Sequence, residues 1–211
     1  ALIIVTVVSL ALAPFVAVMV TSFTKIVVVI SLLRNALGLQ QVPPNVVVNG
    51  LAIILSIYVM YPVLLDSYSQ IGQRAATEQQ QKMDVKRLLD LASSGREPLR
   101  SFLVKHSSDA ERAFFLQTAK RLVRERTDIA AEDFVVVVPA FTVTELTSAF
   151  QIGFLIFLPF LVIDLIVSNI LLALGMMMLS PTTVSLPFKL LLFVSLDGWA
   201  KLVHGLVLTY R

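Results

Sequence analysis

Residues 2–37 form an apolar run of about 36 residues, and two cations, Lys25 and Arg34, stand inside it. Fully helical, such a run reaches roughly 54 Å at 1.5 Å per residue. A bilayer core is crossed by about 20 residues. The run must therefore kink, break at the polar group Thr21-Ser22-Phe23-Thr24-Lys25, or fold back. Lys25 and Arg34 are nine residues apart and project to opposite sides of an ideal helix. Charge at membrane depth is costly, so a segment built this way does not show one plain face to lipid. It is expected to pack among other protein elements or to lie partly outside the bilayer.

The remaining charges are confined. Residues 66–133 hold 12 of the 17 Lys/Arg and 11 of the 14 Asp/Glu, leaving Lys25, Arg34, Lys189, Lys201, Arg211, Glu145, Asp164 and Asp197 in the rest. Three regions follow: an apolar helical hairpin region 1–65, a polar helical insert 66–133, and an apolar region 134–211. With 57% hydrophobic residues and a mean hydropathy of +0.85, this is not the composition of an ordinary soluble domain. A net charge of +3 is too small to argue for nucleic acid. There is no cysteine, hence no disulfide or thiolate metal site. His106 and His204 stand without a nearby acidic cluster, which points to no metal site and no cofactor. The chain opens on Ala1, so residues are expected to precede it. Its first apolar run is too long for a signal-peptide core, lacks a basic flank and continues past Pro14, so it reads as mature protein.

The expected fold is all-α: membrane-associated hairpins of Pro-broken apolar helices with a small helical insert. Gly38 can end a helix and Pro43-Pro44 enforces extended backbone, which makes 38–45 a turn. An apolar helix over 46–65 follows, with Pro62 near its end. In the insert, Glu78–Ala92 is amphipathic, Pro98 can open a short helix, and Ser108-Asp109-Ala110-Glu111 fits a capping box opening a helix to about Arg126, with Phe114, Phe115, Leu122 and Val123 as its apolar contacts. The interleaved charges around Lys120, Arg121, Arg124 and Arg126 read as a solvated face. Residues 134–179 are apolar again, interrupted by Pro139 and Pro159. Pro181 and Pro187 bracket a short connection before a last helix over about 187–208. There Asp197, Lys201 and His204 share one face, with Asp197 and Lys201 as a local i,i+4 pair.

Several motifs in one order resemble the FliP/SctR family of type III secretion export-apparatus proteins. They are Ser22–Asn45, Val47–Val63, Pro139–Thr147, Ala149–Phe160, Asp164–Met178, and Ser185–Phe193 with Asp197-Gly198-Trp199. Leu33-Arg34-Asn35-Ala36-Leu37-Gly38 and the ending Asp197–Leu206 resemble the injectisome branch more than the flagellar one. The resemblance implies a homo-oligomeric, pentameric ring assembled with SctS-like and SctT-like subunits and meeting SctU-like and SctV-like components. It implies a pore through which unfolded substrates cross the bacterial inner membrane, with the insert on the periplasmic side. It also implies that much of the apolar hairpin surface is held above the bilayer plane.

From composition alone Met176-Met177-Met178 reads as core filling at a helix end. Three consecutive residues cannot share a helical face, and Ser180-Pro181 follows at once, so part of the run belongs on a loop. The resemblance implies instead a ring of deformable thioethers around the pore, a gasket that excludes water and ions and yields to a polypeptide. Lys25, Arg34, Glu145, Asp164, Asp197 and Lys201 form a set of charges in apolar surroundings. They suit inter-subunit ion pairs, pairing or snorkelling within the chain, or a proton relay. Gln40, Gln41, Pro43, Pro44 and Asn45 form a turn that is either a plain tight turn or a contact for a neighbouring subunit. Phe141, Phe150, Phe154, Phe157 and Phe160 are expected in the core. No Gly-rich phosphate loop or Ser/His/Asp motif is present, so no enzyme is expected. Two rival readings are a small ion-coupled transporter using Glu145, Asp164 and Lys25, and a membrane scaffold without a pore. Transporters commonly show internal repeats, and this chain has none.

Overall fold

A computed structural model describes residues 2–39, 41–77, 95–122 and 129–211. Among these residues it contains eight helices and no strand: α1 (Leu2–Met19), α2 (Phe23–Ala36), α3 (Asn45–Thr77), α4 (Glu97–His106), α5 (Asp109–Leu122), α6 (Phe134–Ala173), α7 (Pro181–Ser195) and α8 (Gly198–Leu208). The all-α expectation holds. The amphipathic stretch 78–92 lies outside the described residues, as do Gln40, Val123, Arg124 and Arg126.

The long first run breaks where its polar residues sit. The Thr24 hydroxyl donates to the carbonyl of Val18 at 3.0 Å, and Thr21 Oγ1 accepts from the amide of Phe23 at 3.4 Å. These short side chains give the backbone local partners other than the helix ladder. Elsewhere the helices run further than expected. α3 passes Pro62 and continues to Thr77, beyond residue 65. α6 runs unbroken through Pro139 and Pro159 for 40 residues. A proline forfeits one ladder bond, and apolar helices packed among others tolerate that loss. The last helix also differs. Residues 181–187 are already helical, and the break falls at Leu196-Asp197 with a bend of 61° between α7 and α8. Asp197 there has φ 51°, in the left-handed region that asparagine and aspartate enter most readily after glycine.

The chain forms two compact units, residues 1–24 with 56–145, and residues 25–55 with 146–211. In the first, Leu103, Val136, Val137, Ala140 and Phe141 are fully buried, and the Phe102 and Phe141 rings lie 5.7 Å apart. α5 opens at Asp109, but not through the expected capping box. The Ser108 amide donates to Thr144 Oγ1 at 3.0 Å, which leaves Glu111 without that role. Phe114 and Leu122 of α5 are exposed rather than packed. In the second unit, Leu33, Ala36, Leu37, Phe160 and Phe193 form the core, with Ile156, Phe157 and Leu192 against it. Phe141 and Phe160 are therefore core as expected. Phe150 and Phe154 are exposed, while Phe157 is half-buried against this core.

Residues 45–72 and 134–173 are long and apolar enough to cross a membrane, and the bent pair α7–α8 reaches that length as one span. Within the second unit α2 approaches α6 at a glycine. A Cβ on Gly153 would lie 2.3 Å from Leu32 Cδ1 and 3.1 Å from its Cβ. Gly153→Val is expected to destabilise the unit by about 1–3 kcal/mol through overpacking. Thermal unfolding in detergent measures it, with Gly50→Ala, whose Cβ would meet nothing, as the reference.

Candidate functional site

α6 closes on a left-handed glycine. Gly175 has φ 71°, its amide donates to Leu172 at 3.1 Å, and the Met176 amide donates to Leu171 at 2.9 Å. This pair of bonds satisfies the last carbonyls of α6 and turns the chain off its axis. On the other side Pro181 opens α7, a position where a fixed φ and a missing N–H carry no penalty. Met176, Met177 and Met178 are held between a helix stop and a helix start, and all three lie outside helix. They are 47%, 81% and 101% exposed, and Leu174 and Leu179 beside them are exposed too. In a single copy these side chains fill no core. An apolar tip of this kind is an unusual thing to leave in water.

The two helices below the loop are pinned by one ion pair. Lys189 Nζ lies 2.6 Å from Asp164 Oδ2 and donates to the Ala36 carbonyl at 3.0 Å. The Ser185 hydroxyl donates to the other carboxylate oxygen, Asp164 Oδ1, at 2.5 Å. The Lys189 side chain is 4% exposed and that of Asp164 30%. Ala36 is the last residue of α2, where carbonyls lack intrahelical partners and the helix dipole is negative. The ammonium thus joins α2, α6 and α7. Lys189 and Ser185 were not singled out by sequence reasoning. The usable signal was their i,i+4 spacing on an otherwise apolar helix, 25 and 21 residues after Asp164.

The other charges divide. Lys25 is 5% exposed, with Nζ 4.4 Å from the centre of the Tyr210 ring, and Glu145 is 2% exposed in α6. Arg34 is half-buried and donates through Nη1 to Asn45 Oδ1 at 2.6 Å and to the Pro43 carbonyl at 3.3 Å. It closes the turn from within the chain. Gln41, Pro44 and Asn45 join it around an open polar pocket of about 480 Å³. Gly38, at φ 79°, ends α2 with the same two-bond motif that ends α6. Asp197 and Lys201 are exposed, and no ion pair forms between them. The left-handed backbone at Asp197 puts it before the first turn of α8, where its carbonyl, not its carboxylate, meets the amide of Lys201. His204 is exposed beyond them.

Beneath the loop, α6 and α7 leave an apolar cleft of about 370 Å³, lined by Ile163, Ile166, Val167, Ile170, Leu171, Val184 and Phe188. The arrangement suits exclusion of water. Its exposed groups are thioethers and alkyl chains on a pinned turn.

Residues 4–206 match the FliP family. The chain is 53% identical over 205 residues to the Yop proteins translocation protein R of Yersinia pestis, covering 95% of this chain and 92% of that one. It is 50% identical over 210 residues to the hypersensitivity response secretion protein HrcR of Ralstonia nicotianae, covering 97% and 94%. It is 42% identical over 209 residues to the surface presentation of antigens protein SpaP of Salmonella typhimurium, covering 94% and 91%.

Lys189→Met leaves the Asp164 carboxylate without its cation. Breaking a buried pair from one side costs about 3–5 kcal/mol, and the partial exposure of Asp164 places this one near the lower figure. The double variant Asp164→Asn/Lys189→Met is expected to regain most of the loss. Thermal unfolding of both variants checks the pattern, and equal losses would show that the pair does not pin the helices.

Proposed function

The chain belongs to the FliP family of type III secretion export proteins, and from that premise we propose that it is a pore-forming structural subunit of an export gate. In this reading copies assemble into a pentameric ring in the bacterial inner membrane with SctS-like and SctT-like subunits, and meet SctU-like and SctV-like components. Unfolded substrates are threaded through the ring. The insert 66–133 stands on the periplasmic side. Relatives named for Yop translocation and for hypersensitivity-response secretion support the injectisome branch over the flagellar one. The subunit performs no chemistry on its cargo.

The observation that carries the reading is the bare methionine loop. Met176, Met177 and Met178 are apolar, unbranched and turned outward on a backbone fixed by Gly175 and Pro181. A ring of such loops closes a hydrophobic constriction that water and ions do not wet. Each thioether still rotates freely, so the same ring yields to a passing chain. The remaining charged groups fit the surrounding contacts. Asp197, Lys201 and the polar turn Gln41–Asn45 are exposed and face a neighbouring subunit in this reading. Lys25, Glu145 and Asp164 hold the helices in place. Both carboxylate oxygens of Asp164 are occupied by Lys189 and Ser185, which favours a structural role over a proton relay.

Substituting Met176, Met177 and Met178 together by Ala is expected to make the assembled complex leak small ions while secretion persists. Ion flux into membrane vesicles carrying the co-expressed subunits reads the leak. A complex that assembles and stays sealed after the substitution sinks the gasket.

A further inference from the structure

We infer that Met176, Met177 and Met178 are an oxidation site, and that their conversion to sulfoxides opens the seal; this rests on the gasket reading above. The chain has no cysteine, so no thiol competes for an oxidant, and sulfur is confined to six methionines. Three of the six are consecutive at the loop, where Met177 and Met178 are the most exposed of the described methionines; Met19 on α1 is 48% exposed, and Met60 on α3 is buried at 6% exposure. In a single copy Met177 and Met178 are 81% and 101% exposed and Met176 is 47% exposed, so the described residues leave the loop sulfurs open to a small oxidant before the ring closes on them and at its solvent-facing edges.

The step needs only a hydroperoxide such as hydrogen peroxide. A sulfur lone pair attacks one peroxide oxygen, an S–O bond forms, and the O–O bond breaks. The departing hydroxide takes the remaining proton as water, so sulfur is oxidised by two electrons and the peroxide is reduced by two. The product is a polar, chiral sulfoxide in place of an apolar thioether. A constriction that excludes water only because its lining is apolar wets once that lining carries strong acceptors. Each subunit contributes three adjacent sulfurs, so partial oxidation already puts polar groups around the whole ring. Enzymes that reduce methionine sulfoxide reverse the change, one for each sulfoxide epimer.

The test uses membrane vesicles holding the assembled complex, with hydrogen peroxide as the probe. Peptide mass mapping follows oxygen addition at 176–178 against Met19 and Met60, and ion flux is read at the same time points. The expected result is that sulfoxides form first at 176–178 and the leak rises several-fold with them, then falls after treatment with both sulfoxide reductases. A triple Met→Leu variant, read against its own unoxidised baseline, gains no leak on peroxide treatment. If Met19 or Met60 is oxidised before the loop, the site is overturned. If the Ala variant leaks but full sulfoxide formation at 176–178 does not change the flux, the switch is overturned and the gasket stands. If the Ala variant holds its seal, both fall.

Discussion

One ammonium group ties the second unit together. Lys189 reaches from α7 to a carboxylate on α6 and to the last carbonyl of α2, and it is almost completely buried while doing so. Desolvating a cation at such a place is tolerable only when its partners are excellent. Here they are a charged oxygen and a helix end with its own negative pole. The methionine loop lies between α6 and α7, so its position depends on this junction more than on any contact of its own. The Leu33, Phe160 and Phe193 core then packs around the same three helices.

The apolar surface that remains bare is large. Ile54, Ile57, Tyr58 and Tyr61 on α3, and Phe150, Phe154 and Leu155 on α6, are exposed in a single copy. Soluble monomers rarely leave such faces open. Faces of this kind suit lipid or neighbouring protein. Only two of the five candidate phenylalanines in α6 belong to the internal core. Phe157 packs half-buried at the edge of that core, and Phe150 and Phe154 lie on surface that the described residues leave uncovered.

Much of this was legible in the residues. The break near Thr21-Ser22, the helix stop at Gly38 and the loop at Met176–Met178 each follow from local chemistry that needs no partner. The failures share a cause. Pro62, Pro139 and Pro159 were expected to end or interrupt helices, since proline lacks a donor, but packing among apolar helices overrides that local cost. The Asp197–Lys201 pair was inferred from regular helical spacing, and a single left-handed residue removed the regularity. Lys189 escaped notice because its partners lie 25 and 153 residues away in sequence. Long-range pairing of this kind leaves little periodic signature. The capping box failed likewise, since Thr144 supplied from a distant helix what Glu111 would have supplied locally.

The length of α6 bears on how the protein is made. Forty residues of helix extend roughly 60 Å, about twice the hydrocarbon thickness of a bilayer. Tilting by the usual 20° shortens the projection by only a few ångströms, so the mismatch cannot be absorbed by lipid. A newly inserted copy therefore has a length of greasy helix that neither water nor membrane accepts. In the export-gate reading it is a hazard until neighbours arrive, and this favours synthesis of the companion subunits together, at matched levels, with assembly close on the heels of insertion.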